Sequence, residues 1–284
     1  MALLAILFVS CQKGNQNDQK TPDNQQQGDK EGEGEGEGEG EGEGEGEGEK
    51  TPTFRIKTLS YTDGDNLENP DDAGWYDTWY YTYDDQGRVI DVDRKDGDRK
   101  HWEFSYEGNK VTVARKDGLH NYVLTLNDKG VCTSILDDVI DPEDWGPYQE
   151  TATFEYNDDL RVTKVSKEGE LRSVVTLRDG CIVSWTKEKD SRTRTFTYST
   201  TPNVGDLHAI YSEAIDPPAR WMYETGMFGH GPAYLVATSV WEDDPENGST
   251  ITCKVDDNGY CVEEKKVFPG GWTEYFVITW EEVK

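Results

Sequence analysis

Residues 81–89, Tyr-Thr-Tyr-Asp-Asp-Gln-Gly-Arg-Val, carry the pattern that decides the fold of this chain. Two aromatic residues are separated by one polar residue, an acidic turn follows, and a glycine leads into the next apolar position. Successive side chains of a β-strand point to opposite faces, so this order is typical of a strand, a tight turn and the start of an antiparallel partner. The segment therefore predicts a β-hairpin with its aromatic side chains on one face.

The same pattern returns along the chain, at 102–111, 154–162 and 255–262. Asp-Gly or Asn-Gly pairs, which favour tight hairpin turns, follow further runs at 96–97, 117–118, 179–180 and 258–259. No long window shows the apolar stripe of a helix. We expect residues 54–284 to form an all-β antiparallel meander of roughly sixteen short strands in repeated hairpins, curled into a soluble barrel or a strongly twisted sheet, because closure removes unpaired edges.

The outer face of this sheet is predicted to meet water rather than lipid. A strand of a transmembrane barrel needs about nine to eleven residues with an uninterrupted apolar side. Most runs here are shorter, and the faces opposite the aromatic residues are rich in Glu, Lys, Arg and Asp. We therefore expect the aromatic side chains to lie inside the barrel and the charged ones outside.

Two segments precede the β-region. Residues 1–11 contain an apolar run that ends at Ser10-Cys11, which is typical of a lipoprotein signal peptide cleaved before a lipidated Cys11; an ordinary secretory signal with an incidental cysteine is the alternative. Residues 12–53 include nine Glu-Gly pairs and are predicted to be a disordered acidic tether. The expected location is the cell envelope, with lipid anchoring to the outer membrane on its surface-exposed or periplasmic side.

The charge balance excludes one class of partner. Residues 54–284 contain 45 acidic and 25 basic side chains, so this part carries about −20 of the formal net charge of −29. Nucleic-acid binding depends on Lys and Arg at phosphates, so no nucleic-acid partner is expected. Divalent cations and basic proteins are compatible with this charge, most of which we assign to solubility.

The repeated hairpins resemble the tyrosine-aspartate repeats of Rhs-type proteins. Residues 54–284 as a whole are similar to a family of Bacteroidetes lipoproteins of unknown function whose domain is described as porin-like. The similarity includes residues 226–235, Gly-Met-Phe-Gly-His-Gly-Pro-Ala-Tyr-Leu, which match the family's form Gly-x-Phe-Gly, four residues, Tyr-Leu. The resemblance implies a β-meander or barrel fold and an envelope location, and it supplies no catalytic residues.

The residue types that carry catalysis or bind metals have structural interpretations here. The repeat places an apolar residue two positions after each turn glycine. Cys132 and Cys261 stand at this position and are therefore assigned to the core. The alternative is a disulfide between Cys253 and Cys261. His230 stands in a glycine-rich turn, and Asp91–Asp98 lacks the ligand spacing of a calcium loop. The sequence therefore predicts no catalytic residues, no metal site and no cofactor.

The aromatic residues are the best indication of a ligand, since the chain contains nine Trp and fifteen Tyr. Several stand beside carboxylates in predicted loops or at strand ends. An exposed ring there can stack on a sugar while the carboxylates accept hydrogen bonds from its hydroxyls; alternatively, these rings fold back over a barrel mouth. The candidate ligand-binding residues are Trp75, Tyr76, Trp145, Tyr148 and Trp241.

These observations favour a cell-envelope lipoprotein that acts as a non-catalytic binding module for a glycan or an envelope protein. Two alternatives stay open at this stage. A hydrolase of extracellular polymers would need two carboxylates facing each other across a cleft, and so many acidic residues make chance pairs uninformative. A structural spacer of the envelope would have no ligand site.

Overall fold

The structure is a computed structural model that describes residues 53–65, 75–94, 101–140, 146–208 and 220–283. The predicted signal peptide, Cys11, the tether and Trp145 lie outside these residues, and only the backbone of Trp75 is described. No helix in the described ranges is long and apolar enough to cross a membrane.

The described residues form one closed antiparallel barrel, in which each strand pairs with the next along the chain and the last pairs with the first. This confirms the predicted all-β meander and, of the two predicted forms, the barrel. The elements are β1 (Phe54–Asp65), β2 (Trp75–Tyr83), β3 (Val89–Arg94), β4 (Trp102–Glu107), β5 (Lys110–Arg115), β6 (His120–Leu126), β7 (Cys132–Val139), β8 (Tyr148–Tyr156), β9 (Val162–Lys167), β10 (Glu170–Arg178), β11 (Cys181–Lys187), β12 (Arg192–Pro202), the one-turn helix α1 (Arg220–Tyr223), β13 (Tyr234–Trp241), β14 (Asp244–Val255), β15 (Cys261–Val267), a 3-10 turn (Pro269–Gly271) and β16 (Trp272–Glu282).

The pairing of β1 with β16 closes the barrel. It runs from Phe54 opposite Glu282 to Asp65 opposite Trp272. Consecutive strands run in opposite directions, so the start of β1, the end of β16 and the connection between β12 and β13 lie at the same end, which we call the plugged end. The opposite end, which carries the turns 116–119, 188–191, 242–243 and 268–271, is the far end.

One turn geometry is repeated at the plugged end. In each of five turns the side-chain oxygen of the first residue accepts a hydrogen bond from the backbone N–H four residues on, at 2.8–3.2 Å. Asn and Asp favour such turns because their short side chains mimic a backbone carbonyl. The five first residues are Asp84, Asn127, Asn157, Asn203 and Asp256.

The second aromatic residue of the repeat bonds to a neighbouring strand at the same end. The Tyr106 hydroxyl donates to the carbonyl oxygen of Val89 at 2.7 Å, and the Tyr156 hydroxyl donates to that of Cys132 at 2.6 Å. Tyr83 and Tyr198 do the same. Three of the four acceptor carbonyls belong to the residue that follows a turn glycine by two positions, namely Val89, Cys132 and Ile182. The tyrosine of one hairpin unit therefore bonds to a fixed position of a neighbouring unit.

The outer wall is polar, as predicted. Cross-strand hydroxyl pairs join Thr58 to Thr279 at 2.6 Å and Thr197 to Thr238 at 2.7 Å. The buried core of the barrel is instead built from aromatic and aliphatic side chains of alternating positions, among them Leu59, Leu124, Ile135, Trp185 and Ile278.

Residues 220–232, which precede β13, fold into the barrel, and we call them the plug. Trp221 packs against Trp102 at 5.4 Å between ring centroids, and its carbonyl oxygen accepts a hydrogen bond from the Tyr81 hydroxyl at 2.8 Å. Phe228 is fully buried and lies 5.5 Å from the ring of Phe154. The plug therefore supplies part of the core that the strands alone would leave unfilled.

Gly229 of the Gly-x-Phe-Gly segment stands where no other residue fits. Its φ is +77°, and a Cβ atom there would overlap the carbonyl oxygen of Leu160. The same carbonyl accepts a hydrogen bond from the backbone N–H of His230 at 2.9 Å. The glycine thus lets the plug leave the barrel in direct backbone contact with the turn that begins at Asn157.

The four cysteine residues of the barrel form no disulfide bond with one another in this structure. Cys132 and Cys261 are buried, as the repeat predicted, and burial raises the pKa of the Cys132 thiol. Cys253 stands opposite Glu264 and Cys261 stands opposite Val255, so the two cysteines are offset in register, although their thiols lie within hydrogen-bond distance of each other. The alternative of a disulfide between them is not realised in this structure.

Candidate functional site

The structure places the predicted ligand-binding aromatics on different faces. Tyr76 lies on the outer face of β2 and is 63% exposed. Tyr148 lies at the far end of β8, where its hydroxyl donates to Asp137 Oδ2 at 3.3 Å. Trp241 lies at the far end of β13 on the inner face of the wall, so it cannot share a ligand with Tyr76.

Trp241 belongs to a group of aromatic and cationic side chains on the inner face. Trp185 of β11 stands opposite Arg194 of β12, and Arg194 stands opposite Trp241. One step nearer the rim, Lys187 stands opposite Arg192. We call these five residues the Trp–cation niche; local alternation of aromatic and basic residues on β11 and β12 brings them to one face.

The cations of the niche lie against the two indole rings, whose centroids are 5.6 Å apart. Lys187 Nζ lies 5.2 Å from the ring centroid of Trp185 and 5.7 Å from that of Trp241. The guanidinium carbons of Arg192 and Arg194 lie 4.3 Å and 4.7 Å from the centroid of Trp241. Cation–π attraction therefore holds three positive groups around one indole.

The positive charge of the niche is only partly neutralised. Arg192 Nε forms an ion pair with Asp243 Oδ2 at 2.9 Å on the rim. Among the described residues, no carboxylate lies within ion-pair distance of Lys187. Burial and the neighbouring positive charge of Arg192 lower the pKa of Arg194, and the negative charge of Glu274 partly opposes them. The niche is thus a basic region on the inner wall of an acidic protein.

Three buried polar groups beside the niche have no hydrogen-bond partner in the described part of the chain. They are the indole Nε1 of Trp185 and the hydroxyls of Ser239 and Ser249. Their side chains are 1%, 1% and 2% exposed, and the two serines stand opposite each other on β13 and β14. A buried group without a partner costs about 1–3 kcal/mol, so such groups mark places where a ligand or water completes the hydrogen bonding.

The inner face of β6–β9 differs from the niche because its charges are balanced. His120 Nε2 lies 2.6 Å from Asp137 Oδ1, and Lys167 Nζ forms an ion pair with Glu150 Oε2 at 2.6 Å. Each of these bases has an acid beside it, unlike Lys187. An anionic ligand would therefore be attracted to β11–β13 rather than to β6–β9.

A buried charge cluster fixes the plug to the barrel wall. Both terminal nitrogens of Arg220 bond to the carboxylate of Glu264, at 2.9 Å and 3.1 Å, and Arg220 Nε lies 3.3 Å from Glu224. The Glu224 carboxylate also accepts a hydrogen bond from the backbone N–H of His208 at 3.2 Å. Both carboxylates are thus engaged by an internal cation.

The pKa values of this cluster follow from its contacts. Burial opposes ionisation of Glu224, but the hydrogen bond from His208 and the charge of Arg220 outweigh it and lower the pKa of the carboxyl group. Burial also opposes protonation of His208, but Glu224 outweighs it and raises the pKa of the imidazole. The cluster is therefore electrostatically self-sufficient and holds the plug in place.

Within the described ranges, one group of side chains could hold a metal ion, on the outer face of the barrel at β3 and the start of β4. One ligand atom each from Asp91, His101 and Glu103 lies within 4.8 Å of the others. His101 Nε2 is already bonded to Asp91, and His101 Nδ1 lies 3.6 Å from Asp93. The sequence predicted no metal site, because these residues come together only through the cross-strand register; the imidazole of His101 is hydrogen-bonded to Asp91 in this structure.

Comparisons with known proteins identify similar structures rather than a sequence family. No family model and no curated protein sequence matches the chain. A crystal structure of a porin-like protein from Bacteroides uniformis is similar with a TM-score of 0.59 and 16% identity, over 80% of this chain and 98% of that one. A porin-like protein from Bacteroides vulgatus is similar with a TM-score of 0.50 and 11% identity, over 81% of this chain and 99% of that one.

These identities are too low to transfer a function. The two proteins are covered almost completely, so the similarity extends over the whole barrel rather than one hairpin pair. The chain is therefore similar in fold to the porin-like proteins of Bacteroides, and its function has to be argued from its own residues.

Proposed function

We propose that this protein is a non-catalytic binding module of the bacterial cell envelope, with a glycan as its first candidate ligand and an envelope protein as the second. In this proposal Cys11 carries the lipid anchor and residues 12–53 form the tether. The tether is joined covalently to the plugged end at Phe54. In this proposal the ligand binds at the far end, away from the tether.

The observation that carries the proposal is the difference between the two ends of the barrel interior. The plug occupies the plugged end, and its largest aromatic residues, Trp221 and Phe228, are buried among the side chains of the strands. A water-filled channel, as in a porin, needs an open interior. The inner wall at the far end instead displays Trp241, basic groups and buried hydrogen-bonding groups that lack partners, as a binding site would.

The hydrolase alternative has less support. The buried carboxylates in the described ranges each contact a basic side chain, as Asp137 contacts His120 and Glu224 and Glu264 contact Arg220. A glycosidase needs two carboxyl groups that are both directed at the substrate. The observed carboxylates are instead committed to holding the wall and the plug.

The experiment is a glycan array probed with the full chain, with and without calcium. We expect binding that is lost in Trp241→Ala and retained in Tyr76→Ala, because Trp241 faces the interior and Tyr76 faces outward. The two variants remove aromatic side chains from opposite faces of the same wall and so control for each other. A blank array under both conditions would rule out the glycan and direct the search to envelope proteins.

A further inference from the structure

We infer that the outer face of β3 and the start of β4 binds a transition-metal ion, with zinc as the first candidate, through His101 Nε2 and one carboxylate oxygen each of Asp91 and Glu103. The site lies on the outside of the barrel wall, so it does not depend on the proposed glycan binding. It is carried by the convergence of these three side chains and by the position of Asp93 beside the imidazole.

The cross-strand register brings the three ligands together. Asp91 stands directly opposite Glu103, and the next pair along the strands, Val92 and Trp102, faces the core. His101 precedes Trp102, so its side chain lies on the same outer face as that of Glu103. One ligand atom of each of the three residues lies within 4.8 Å of the others. Zinc binds imidazole nitrogen and carboxylate oxygen at about 2.0–2.2 Å, so small rotations of the side chains suffice to close the site.

The two ring nitrogens of His101 face different carboxylates. Nε2 is hydrogen-bonded to Asp91, and Nδ1 lies 3.6 Å from Asp93 Oδ1. In protein metal sites, the histidine nitrogen that does not bind the metal almost always donates its N–H to a carboxylate, a carbonyl or water. With its proton on Nδ1 and directed at Asp93, the ring presents the lone pair of Nε2 to a metal ion. Asp93 is therefore a positioning residue and not a ligand.

The charges and the ligand types together favour a transition-metal ion. The carboxylates of Asp91, Asp93 and Glu103 lie around one imidazole, and within the described ranges no lysine or arginine forms an ion pair with any of them. The group therefore stays negative even when the imidazole is protonated. Imidazole suits zinc, copper and nickel, whereas calcium and magnesium prefer ligand sets made of oxygen atoms.

A bound ion would connect the barrel where its pairing is shortest. In the described part of the barrel, β3 and β4 share two paired positions, the fewest of any neighbouring strands. A ligand from β3 and two from the β4 side would join the strands across this seam. Because the unfolded chain does not hold the ligands together, zinc should stabilise the folded barrel by mass action.

The test is a calorimetric titration of the full chain, dialysed against a chelator, with zinc chloride. We expect one ion to bind tightly per chain; weaker binding by the Glu-Gly tether is common to all variants and cancels when they are compared. Cobalt(II) in place of zinc gives a visible spectrum that reports the ligand type. We expect the spectrum of nitrogen and oxygen ligands, whereas thiolate charge-transfer bands would assign the metal to cysteines.

Matched histidine variants assign the zinc to the site. His101→Gln should weaken zinc binding more than about tenfold, since the loss of an outer hydrogen-bond partner alone typically costs about 10–100-fold. His230→Gln removes an exposed histidine paired with Asp206 and should leave the affinity unchanged. Thermal unfolding without metal shows whether each variant is folded; Glu103→Gln, at an exposed position, replaces His101→Gln if that variant is not.

Two substitutions that remove the same charge test the role of Asp93. Asp93→Ala removes the acceptor for the imidazole N–H and should weaken zinc binding about tenfold. Asp93→Asn keeps a carbonyl acceptor and should restore much of the affinity. The unfolding midpoint of the metal-free chain should be the same in both variants, because the Asp93 side chain is half exposed. Equal zinc affinities in the two variants would contradict the positioning role.

Zinc should also raise the thermal unfolding midpoint of the unmodified chain and not that of His101→Gln. The inference is wrong if zinc does not bind, if cobalt gives thiolate bands, or if His101→Gln and His230→Gln bind zinc equally well. In the last case the acidic surface or the tether, and not this site, would hold the ion. None of these results bears on the glycan array, because the site and the inner wall lie on opposite faces of the barrel.

Discussion

The two ends of this barrel are built from the same strands and differ in how completely their polar groups are satisfied. At the plugged end, repeated turns bond back to their own side chains, tyrosine hydroxyls bond to neighbouring carbonyls, and the charges of the plug cancel. At the far end, no carboxylate of the described residues pairs with Lys187, and buried polar groups of Trp185, Ser239 and Ser249 lack hydrogen-bond partners in the described part of the chain. Unsatisfied polar groups reduce stability, so we expect the plugged end to contribute more to the stability of the barrel than the far end.

The largest expected effect comes from removing a positive charge at the plugged end, and removing one at the far end is its control. Arg220→Met leaves Glu224 and Glu264 buried without their cation and should lower the free energy of unfolding by about 3–5 kcal/mol. Arg192→Met removes an exposed ion pair with Asp243 and a cation–π contact with Trp241 at the rim, and it should cost only about 1 kcal/mol. Urea unfolding of both variants measures the contrast; equal losses would show that the plug is not held by its charges.

Gly229→Ala tests the contact between the plug and its turn. The added methyl group overlaps the Leu160 carbonyl at a backbone φ of +77°, so we expect a loss of about 3 kcal/mol. Gly87→Ala, at φ +78° with no atom nearby, should cost only about 1 kcal/mol. A similar cost for both glycines would mean that the plug can shift to make room.

Tyr156→Phe tests the hydroxyl bonds of the plugged end. It removes the donor to the Cys132 carbonyl and should destabilise the fold by about 1 kcal/mol. Tyr148→Phe is the far-end counterpart, and it should cost less because Asp137 keeps its contact with His120. Chemical denaturation measures the free energy of unfolding of both variants. A larger decrease in Tyr148→Phe than in Tyr156→Phe would contradict the idea that the plugged end contributes more to stability.

Leu160→Gly should stabilise the protein. Leu160 has a φ of +58° at the turn position where Gly87, Gly130 and Gly259 stand in sister turns, so replacing it relieves strain of up to about 1 kcal/mol. Gly130→Leu is the reverse control and should cost a similar amount. A destabilised Leu160→Gly variant would show that the leucine side chain contributes more through packing than its backbone costs.

The smallest effect is a dependence of stability on pH that originates at the plugged end. The raised pKa of His208 gives stability that is complete below its ordinary pKa of 6.5 and is lost as pH rises through the folded-state value. The lowered pKa of Glu224 gives stability that is complete above its ordinary pKa of 4.5 and is lost as pH falls through the folded-state value. The pair therefore predicts maximal stability between these values.

The substitution His208→Gln should remove the decline in unfolding free energy on the alkaline side of that range, while His230→Gln, an exposed histidine paired with Asp206, should leave it in place. Unfolding midpoints in urea at about pH 5.5 and about pH 8 measure the slope. An unchanged slope in His208→Gln would show that another group causes the pH dependence.

The hairpin pattern predicted the class of fold, the repeated turns and the buried positions of Cys132 and Cys261, because turn chemistry and two-residue alternation are local properties. It also named Trp241, one residue of the candidate site. It missed Trp185, Lys187 and Arg194, although the alternation Trp185-x-Lys187 and Arg192-x-Arg194 already puts bases on the aromatic face. Their convergence depends on the register between three strands, which the sequence pattern does not specify.

The sequence by itself determined that this chain forms antiparallel hairpins whose aromatic residues lie mostly on the inner face. Only the tertiary structure decided that Phe54 meets Glu282 to close the barrel, that residues 220–232 fill one end of it, and that the far end keeps a basic niche. The physical reason is separation along the chain. Strand and turn preferences act over a few residues, whereas closure and plugging depend on contacts between distant residues, whose free energy is gained only when the whole sheet is in register.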